Sequence, residues 1–358
     1  MNAKVDATQS ENSSAAANVQ TSERALVLAA GAGDHDAFRA LIEPVHRELH
    51  LFCYRMLGSS EDAEDVLQEA LLKAWRALGR YDRRSSFRTW VYRIVTRASL
   101  DALRSRRRRV LPWDIGASRD PATGFGEQRH DIAWLELYPD LLPARSDPQA
   151  AAELRESTRL AFVHALQILA PRQRAVLILR DVLDWTAAEA ATALGTSVAA
   201  VNSALQRARG ALSGGNGQNP RPAPGALDAK TTEIAALYVA AWEAGDIDAI
   251  VSMLAADVVQ AMPPWAAWFV GRETVRALYS TYAVWNGAPR PGVFRVVPAS
   301  LNGDLVFAEY CRTAPDGPYH ALALTVASLS PDGAEISEKV SFMGGDLITR
   351  LGFPPVLG

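Results

Sequence analysis

Residues 186–209, TAAEAATALGTSVAAVNSALQRAR, contain two short helical patterns separated by a glycine. Thr186 can cap the first helix, because Glu189 follows three residues later as in a capping box. Gly195 permits a sharp turn, and Val201 places an apolar side chain between the two helices. This spacing predicts a helix-turn-helix, whose second helix enters the major groove of DNA through its N-terminal residues. A plain pair of packed alanine-rich helices would show a similar pattern.

The second helix of this motif would present its outer side chains to DNA. Small and polar residues near its start would face base edges, and the arginines further along would reach phosphates or guanine edges. The predicted DNA-contacting residues are Ser197, Ala199, Ala200, Asn202, Ser203, Arg207 and Arg209.

The charge distribution also indicates a polyanionic partner. The 358-residue chain has a formal net charge of −3, yet eleven arginines and only two aspartates lie between Arg80 and Arg109. Such a cluster is typical of nucleic-acid binding, with a solvated helix end as the simpler alternative. Residues 228–358 carry eight basic and fourteen acidic residues, which argues against DNA binding by that part.

Composition excludes several classes of protein. Hydrophobic residues make up 49% and charged residues 22%, as in ordinary globular domains. No apolar run approaches the roughly 18–20 residues of a membrane span, and no signal peptide is recognisable, so we expect a cytoplasmic protein without membrane contact. Cys53 and Cys311 fall in different predicted domains, so we expect neither a disulfide framework nor a metal site, and no cofactor.

Changes in pattern along the chain predict its domain organisation. Helical periodicity, proline and glycine clusters and alternating strand patterns mark the boundaries. The predicted segments are a disordered tail over 1–22, a helical domain over 23–109, an interdomain linker over 110–152, a helix-turn-helix domain over 153–214, a flexible linker over 215–227 and an α+β domain over 228–358.

Two separate segments resemble conserved regions of one family. Asp62-Ala-Glu-Asp-Val-Leu-Gln-Glu69 and residues 87–96 (FRTWVYRIVT) resemble region 2 of the extracytoplasmic-function (ECF) sigma factors of the sigma-70 family. Pro171-Arg-Gln-Arg174, followed by the predicted second helix, resembles region 4. The resemblance implies a factor that recruits core RNA polymerase to specific promoters and initiates transcription. Region 4 would read the −35 element, and region 2 would bind and melt the −10 element, without covalent chemistry.

The resemblance also implies roles for individual residues. The polymerase-binding face, which would dock on the clamp helices of the β′ subunit and act together with the β subunit, comprises Asp62, Asp65, Gln68 and Glu69. The −10 and melting residues would be Phe87, Arg88, Trp90, Arg93, Arg97 and Arg104. Simple solvation would also explain the acidic face, and Trp90 would serve the core equally well. Arg97 stands where the family commonly has asparagine, so the usual −10 base preference is not expected to carry over.

The rest of the chain extends beyond a typical ECF sigma factor. Residues 134–140 (WLELYPD) resemble a subgroup with a fused SnoaL-like domain, and the part from Tyr238 to Glu273 resembles that fold. The implied fold class is multidomain: two all-α sigma domains, namely a region 2 helical bundle and a region 4 helix-turn-helix, plus an α+β SnoaL/NTF2-like cone-shaped barrel. Such a cone can host a small-molecule pocket, with Trp265, Trp268, Tyr310 and His320 as its candidate lining. His320 would suit acid–base chemistry in such a cavity, but it fits better as a hydrogen-bonded core histidine.

Two other functions fit parts of the sequence. One is a SnoaL-like enzyme of the cyclase or isomerase type with a DNA-targeting appendage, and the other is a helix-turn-helix repressor that binds duplex promoter DNA without polymerase. For the sigma factor, we expect no catalytic residue and a regulatory C-terminal domain. That domain would act by sensing a ligand or by intramolecular contact with the basic sigma domains.

Overall fold

The computed structural model describes residues 23–139, 157–214, 229–281 and 291–358, which fold as two units. The first unit comprises the described residues up to Leu57, Glu61–Arg106 and Ala170–Arg209, and the second comprises Gly58–Ser60, Arg107–Leu169 and Gly210–Gly358. The predicted tail over 1–22, the predicted linker over 215–227 and the end of the 110–152 segment lie outside the described residues. Within the described ranges, no helix has the length and apolarity needed to cross a bilayer.

The first unit is helical, as its periodic apolar residues predict. Its helices are α1 (23–31), α2 (His35–Leu57), α3 (Ser60–Ala77), α4 (Phe87–Ser105), α6 (Pro171–Leu177), α7 (Ala187–Leu194) and α8 (Val198–Gly214). Ser86 caps α4 by accepting a hydrogen bond from the Thr89 N–H at 3.1 Å. Phe52 of α2 packs edge-on against Tyr92 of α4, with ring centroids 5.5 Å apart. The helices are therefore held by a shared aromatic and aliphatic core.

The helix-turn-helix forms as its sequence predicts. Glu189 N–H donates to Thr186 Oγ1 at 3.2 Å, and Thr186 N–H donates to Glu189 Oε2 at 2.8 Å, so both halves of the capping box are present. Gly195 ends α7 with a φ of +61°, a left-handed conformation that favours glycine. Val201 is completely buried between the helices. The α7–α8 pair is thus fixed by the residues that predicted it.

The second unit is built on a mixed sheet. Its strands are β1 (Leu254–Ala261), β2 (Trp268–Val270), β3 (Phe294–Leu301), β4 (Asp304–Cys311), β5 (Tyr319–Leu329), β6 (Ile336–Met343) and β7 (Val356–Leu357). The order is β2-β1-β6-β5-β4-β3, with β7 paired to β5. The β1–β6 pair is parallel and the others are antiparallel. The predicted α+β fold is confirmed, but the sheet stays open instead of closing as a barrel, because among the described residues no pairing joins β2 to β3.

Further helices pack around this sheet. They are α9 (Ala229–Ala244), α10 (Ile247–Ser252), α11 (Arg272–Thr281) and α12 (Gly345–Arg350). Helix α9 packs against β3, and α11 packs against β1. Tyr238 and Trp242, one turn apart on α9, are both buried, and the Tyr238 ring stacks on Phe307 of β4 at 4.0 Å between centroids. The core of the second unit lies between helices α9, α10 and α11 and the concave side of the sheet, whereas α12 packs against β5.

The described part of the predicted interdomain linker belongs to the second unit. Arg119 N–H donates to the Trp268 carbonyl at 2.9 Å, and Arg129 N–H donates to the Pro264 carbonyl at 2.9 Å. The Asn302 side chain donates to the Tyr138 carbonyl at 2.8 Å. Residues 107–139 therefore have fixed partners in the C-terminal fold.

The helix that follows the undescribed stretch is anchored to the same sheet. Helix α5 (Leu160–Ile168) begins where Asp304, at the start of β4, accepts from the Leu160 N–H at 2.9 Å. The same carboxylate accepts from Arg159 Nε at 2.9 Å. Burial nevertheless raises the pKa of Asp304, against the opposing effects of the arginine and the amide. One buried carboxylate thus holds both the start of α5 and the guanidinium beside it.

Candidate nucleic-acid, polymerase and ligand sites

One face of α8 carries exposed residues suited to the major groove. At 100° per residue, Ala200, Ser203 and Arg207 fall within about 60° of one another, on a different side of the helix from the buried Val201 and Ala208. Arg207 Nη1 donates to Ser203 Oγ at 2.7 Å, one turn earlier. The remaining predicted contacts at the helix start, Ser197, Ala199 and Asn202, are also exposed.

Arg209 lies on another side of α8. Its Nε and Nη2 donate to the two carboxylate oxygens of Asp181, at 2.9 Å and 2.7 Å. This pairing raises the pKa of the guanidinium above its ordinary value. Position 209 is about 200° around the helix from Arg207. The structure therefore separates the two arginines that the sequence pattern grouped together.

Helix α4 carries the arginines of the basic segment on its exposed face. Arg93, Arg97 and Arg104 are spaced so that they lie within about 40° of one another around the helix. Arg104 pairs with Asp101 at 2.8 Å, whereas in the described part of the chain Arg93 and Arg97 have no ion-pair partner. Two guanidinium groups on this face are thus available to phosphates or bases.

Arg88, predicted to join the same set, points elsewhere. It forms an ion pair with Glu48 of α2. Its guanidinium also lies over the rings of Tyr92 and Trp185, at 5.5 Å and 5.1 Å from their centroids. A cation held over two aromatic rings and paired with a carboxylate is engaged within the fold. Arg88 thus stabilises the helical unit.

The aromatic residues at the start of α4 form one cluster. Trp90 is half-buried, and its ring lies 5.1 Å from Tyr81 and 5.8 Å from Phe87, measured between centroids. Phe87 itself is buried. Tyr81, which the sequence reasoning did not single out, donates its hydroxyl to the Ser85 carbonyl at 2.6 Å. Trp90 is therefore the member of the predicted pair that keeps an accessible ring.

The acidic face of α3 is partly neutralised by neighbouring cations. Arg106 forms ion pairs with both Asp62 and Asp65, the second at 3.7 Å. The other two predicted residues interact along the helix itself. Gln68 donates to Glu64 at 2.6 Å, and Glu69 pairs with Lys73 at 2.8 Å. All four predicted residues thus lie on the outer side of α3, each with a partner from the same unit.

Leu72 is a feature of this face that the acidic pattern did not reveal. It lies one turn after Gln68 on the side of α3 that carries Asp65 and Glu69, and 48% of its surface is exposed. The sequence could have indicated Leu72 only because it is an apolar residue that falls outside the buried stripe containing Ala70 and Ala74. A large apolar side chain ringed by charges is a common anchor in a protein–protein interface.

The C-terminal unit contains a cavity between the sheet and helices α9 and α11. Its apolar lining includes Trp242, Met262, Leu278 and Phe294. A chain of hydrogen bonds forms its polar end: Lys339 Nζ donates to Tyr279 Oη at 2.8 Å, Tyr279 Oη donates to Gln260 Oε1 at 3.1 Å, and Gln260 Nε2 donates to Ser341 Oγ at 3.2 Å. The cavity is thus amphipathic.

The four residues predicted to line a pocket lie outside this lining. Trp268 donates its indole N–H to the Gly116 carbonyl at 2.8 Å, and Tyr310 donates its hydroxyl to the Pro354 carbonyl at 2.9 Å. Trp265 packs beside Phe125, with centroids 6.0 Å apart. His320 is exposed on β5, opposite Val356 of β7. The four predicted residues therefore lie elsewhere in the second unit. The polar residues that line the cavity include Lys339, Glu309 and Gln260.

Family models match three parts of the chain, in the order that the fold shows. Sigma-70 region 2 matches residues 41–109, Sigma-70, region 4 matches 159–212, and the SnoaL-like domain matches 235–336. The ECF RNA polymerase sigma factor SigG of Mycobacterium tuberculosis is 42% identical over 328 residues, which cover 89% of this chain and 85% of SigG. SigJ of the same organism, also an ECF RNA polymerase sigma factor, is 32% identical over 338 residues, covering 87% of this chain and 95% of SigJ.

A solved structure shares the fold. The crystal structure of Mycobacterium tuberculosis SigJ superposes with a TM-score of 0.55 over 88% of this chain and 99% of SigJ, at 24% identity. Because the relatives that span the chain, including its SnoaL-like part, are sigma factors, the enzyme alternative is not supported. The chain belongs to the ECF sigma factors: it binds core RNA polymerase and promoter DNA, initiates transcription at specific promoters, carries a SnoaL-like domain and is not an enzyme.

Proposed function

We propose that α8 reads the −35 element through the face that carries Ala200, Ser203 and Arg207. The small side chains let the helix approach the groove closely, and Arg207 supplies a cation that can meet a guanine edge or a phosphate. The exposure of all three supports this assignment. Arg209 is left out of the reading face, because it is paired with Asp181 on another side of the helix.

Region 2 contacts the −10 element through α4. Arg93 and Arg97, which are exposed and have no ion-pair partner in the described residues, give salt-dependent affinity for the DNA backbone, together with Arg104. Trp90 stacks on an unpaired base of the melted strand, and Tyr81 and the buried Phe87 hold its ring in place. Phe87 thus contributes to melting through Trp90.

Helix α3 docks on the polymerase. Its acidic outer face, centred on the exposed Leu72, suits a basic partner with an apolar contact, which we assign to the clamp helices of the β′ subunit. Region 4 is assigned to the β subunit. A factor that works with this polymerase acts in the cytoplasm.

The SnoaL-like domain regulates the factor through the segment that joins regions 2 and 4. Residues 107–139 run directly from region 2 and are hydrogen-bonded to the C-terminal fold. A change in that fold is therefore passed on along the chain itself. The observation that supports regulation best is the pair of hydrogen bonds from Arg119 and Arg129 to the backbone of 264–268.

The test of the promoter assignment compares two arginines of α8. Arg207→Ala should weaken binding of the reconstituted holoenzyme to promoter DNA by about 1–3 kcal/mol, confined to one base position for a base-edge contact and uniform for a phosphate contact. Arg209→Ala is the matched control, because it removes the same group from another side of the helix. Titration of labelled promoter duplexes measures both. Unchanged affinity for Arg207→Ala, or equal losses for the two variants, would contradict the assignment.

A further inference from the structure

The polar end of the C-terminal cavity contains a buried ammonium group with spare hydrogen-bonding capacity. Lys339 is 1% exposed, and its single side-chain hydrogen bond in the described structure is the one to Tyr279. Its Nζ lies over three rings, 4.9 Å from Tyr238, 5.5 Å from Trp242 and 5.3 Å from Tyr279, measured to the centroids. Cation–π contacts stabilise the charge but leave N–H donors without acceptors.

A second buried donor lines the same cavity. Trp242 is 5% exposed, and its indole N–H meets no acceptor with hydrogen-bond geometry in the described residues. Buried polar groups are normally hydrogen-bonded, so each one without a partner calls for a physical explanation. Gln260, Ser341 and Tyr279 already satisfy one another. Both of these buried groups, the Lys339 ammonium and the Trp242 indole N–H, are thus hydrogen-bond donors with unused capacity.

The carboxylate nearest to this end does not supply that acceptor. Glu309 accepts from Tyr238 Oη at 2.9 Å and makes no ion pair with Lys339 within 4 Å in the described part of the chain. Burial lowers the pKa of Lys339 to about 8, with Glu309 opposing the shift. The lysine is therefore mainly protonated at neutral pH and able to donate.

An aromatic residue of the linking segment occupies the remaining apolar space. Phe125 lines the cavity and packs edge-on against Phe269 of β2, with centroids 6.0 Å apart. The free volume beside it is about 30 Å³, room for about two water molecules and too small for another ring. Gly124 and Gly126 flank it with φ of +72° and +73°, a left-handed conformation that favours glycine. Phe125 thus lies between two glycines in a backbone conformation that other residues rarely adopt.

We propose that this cavity binds a small, flat, largely apolar molecule with an acceptor oxygen, whose ring takes the space of Phe125 and whose oxygen accepts from Lys339 and Trp242. The acceptor is a carbonyl or a carboxylate oxygen, both of which match the two donors. Binding displaces Phe125 and with it the segment that joins regions 2 and 4. This deepens the regulatory role proposed above by naming the class of ligand.

Fluorine NMR titrations of the full chain test the site with three probes. Para-fluoroacetophenone carries a carbonyl, para-fluorobenzoate carries a carboxylate, and para-fluorotoluene has the ring without an acceptor. We expect one of the first two to bind about tenfold more tightly than para-fluorotoluene, and Phe125→Ala to tighten its binding by about tenfold again, because the space is vacated. Phe353→Ala, at a half-buried phenylalanine outside the cavity lining, is the matched control and should change nothing.

Two further variants test the donors. Lys339→Met keeps the length of the side chain without the ammonium, and Trp242→Phe keeps a ring without the N–H. Each should remove most of the preference for the acceptor probe over para-fluorotoluene while leaving the circular dichroism spectrum unchanged. Trp242→Phe keeps the test decisive if Lys339→Met fails to fold. The proposal is overturned if Phe125→Ala shows no preference for an acceptor probe, or if Trp242→Phe keeps the full preference.

Run-off transcription separates this inference from the proposed regulation. Probe binding that leaves transcription by the holoenzyme unchanged would establish the site and reject the regulatory role. Altered transcription by Phe125→Ala without any probe binding would support regulation through the segment and reject the ligand site.

Discussion

The burial of Lys339 could not be predicted from its residue type or from its position in the strand pattern. In β6, strand alternation places Val340 and Phe342 on one side and Lys339 and Ser341 on the other, a pattern that predicts a solvent-facing lysine. All four are buried, because this strand has neighbours on both sides of the sheet. Ring size and polarity favour Trp265, Trp268, Tyr310 and His320 as pocket residues, whereas the ammonium at the cavity comes from a strand whose sequence pattern predicts one exposed face.

The buried ammonium predicts a pH dependence of stability. The pKa of Lys339 falls from its ordinary 10.5 to about 8, so the unfolded chain binds more protons between these values and stability rises with pH across that window. The titratable groups that face it are Glu309 of β4, Tyr238 of α9 and Tyr279 of α11, and burial raises the pKa of both tyrosines above their ordinary value.

We therefore expect wild type to gain about 2 kcal/mol of unfolding free energy between pH 7 and 9.5 relative to Lys339→Met. Urea denaturation of the full chain, followed by tryptophan fluorescence, measures the difference at each pH. Lysines and cysteines away from this cavity titrate alike in both chains and cancel in the comparison, and burial raises the pKa of Tyr238 and of Tyr279 so that both stay protonated in the folded chain up to pH 9.5. Parallel stability curves for the two chains would show that the ammonium is not buried in solution.

At the scale of elements, helices were more predictable than the sheet. The apolar stripes of α2 and α4 and the caps of α7 are local, since each depends on residues three or four positions apart. Pairing of β1 with β6 joins Ala261 to Val340, a parallel contact across about eighty residues that no local pattern specifies. The same distinction applies to sites: the exposed faces of α4 and α8 follow from helical spacing, whereas the cavity depends on strand order.

Helix α3 offers a prediction at this scale, because its acidic face surrounds the exposed Leu72. Leu72→Ala should weaken binding to core polymerase by about 1–2 kcal/mol, as truncation of an interface anchor does, without lowering helicity. Leu28→Ala is the matched control, since Leu28 is 57% exposed on α1, away from α3 in sequence. Anisotropy titrations of labelled protein with core polymerase measure the two affinities. Equal affinities for wild type and Leu72→Ala would remove Leu72 from the interface.

For the whole molecule, the sequence predicts the order of the domains. It does not predict that the segment linking regions 2 and 4 packs with the C-terminal fold. Its prolines, glycines and scattered aromatics lack a period, so residues 110–139 read as a connector. Their partners, among them Pro264, Trp268 and Asn302, lie more than a hundred residues away. The segment becomes structured only through that distant fold, and this is why its sequence alone does not reveal the association.

Removing the C-terminal fold should therefore impair the factor. A chain of residues 1–214 loses the partners of Arg119, Arg129, Tyr138 and Leu160, so amide protons of residues 107–139 should exchange faster with solvent, by about tenfold or more. Run-off transcription with core polymerase should fall, because regions 2 and 4 are then joined by an unsupported segment. Equal activity of the two chains across a range of salt concentrations would show that the C-terminal fold does not act through this segment.

The segment that carries Phe125 is synthesised before the strands of the C-terminal fold, and this sets the order in which the parts of the chain can fold. Region 2 and residues 107–139 leave the ribosome well before β6, which ends at Met343 and lines the same cavity as Phe125. At ~5–20 residues per second, the segment waits on the order of 10–40 s before β6 has been synthesised. During that interval a nascent chain can fold region 2 while the connection to region 4 is still unsupported. The factor thus acquires its supported connection only after β6 has been synthesised, and a translation product that stops before β6 lacks it.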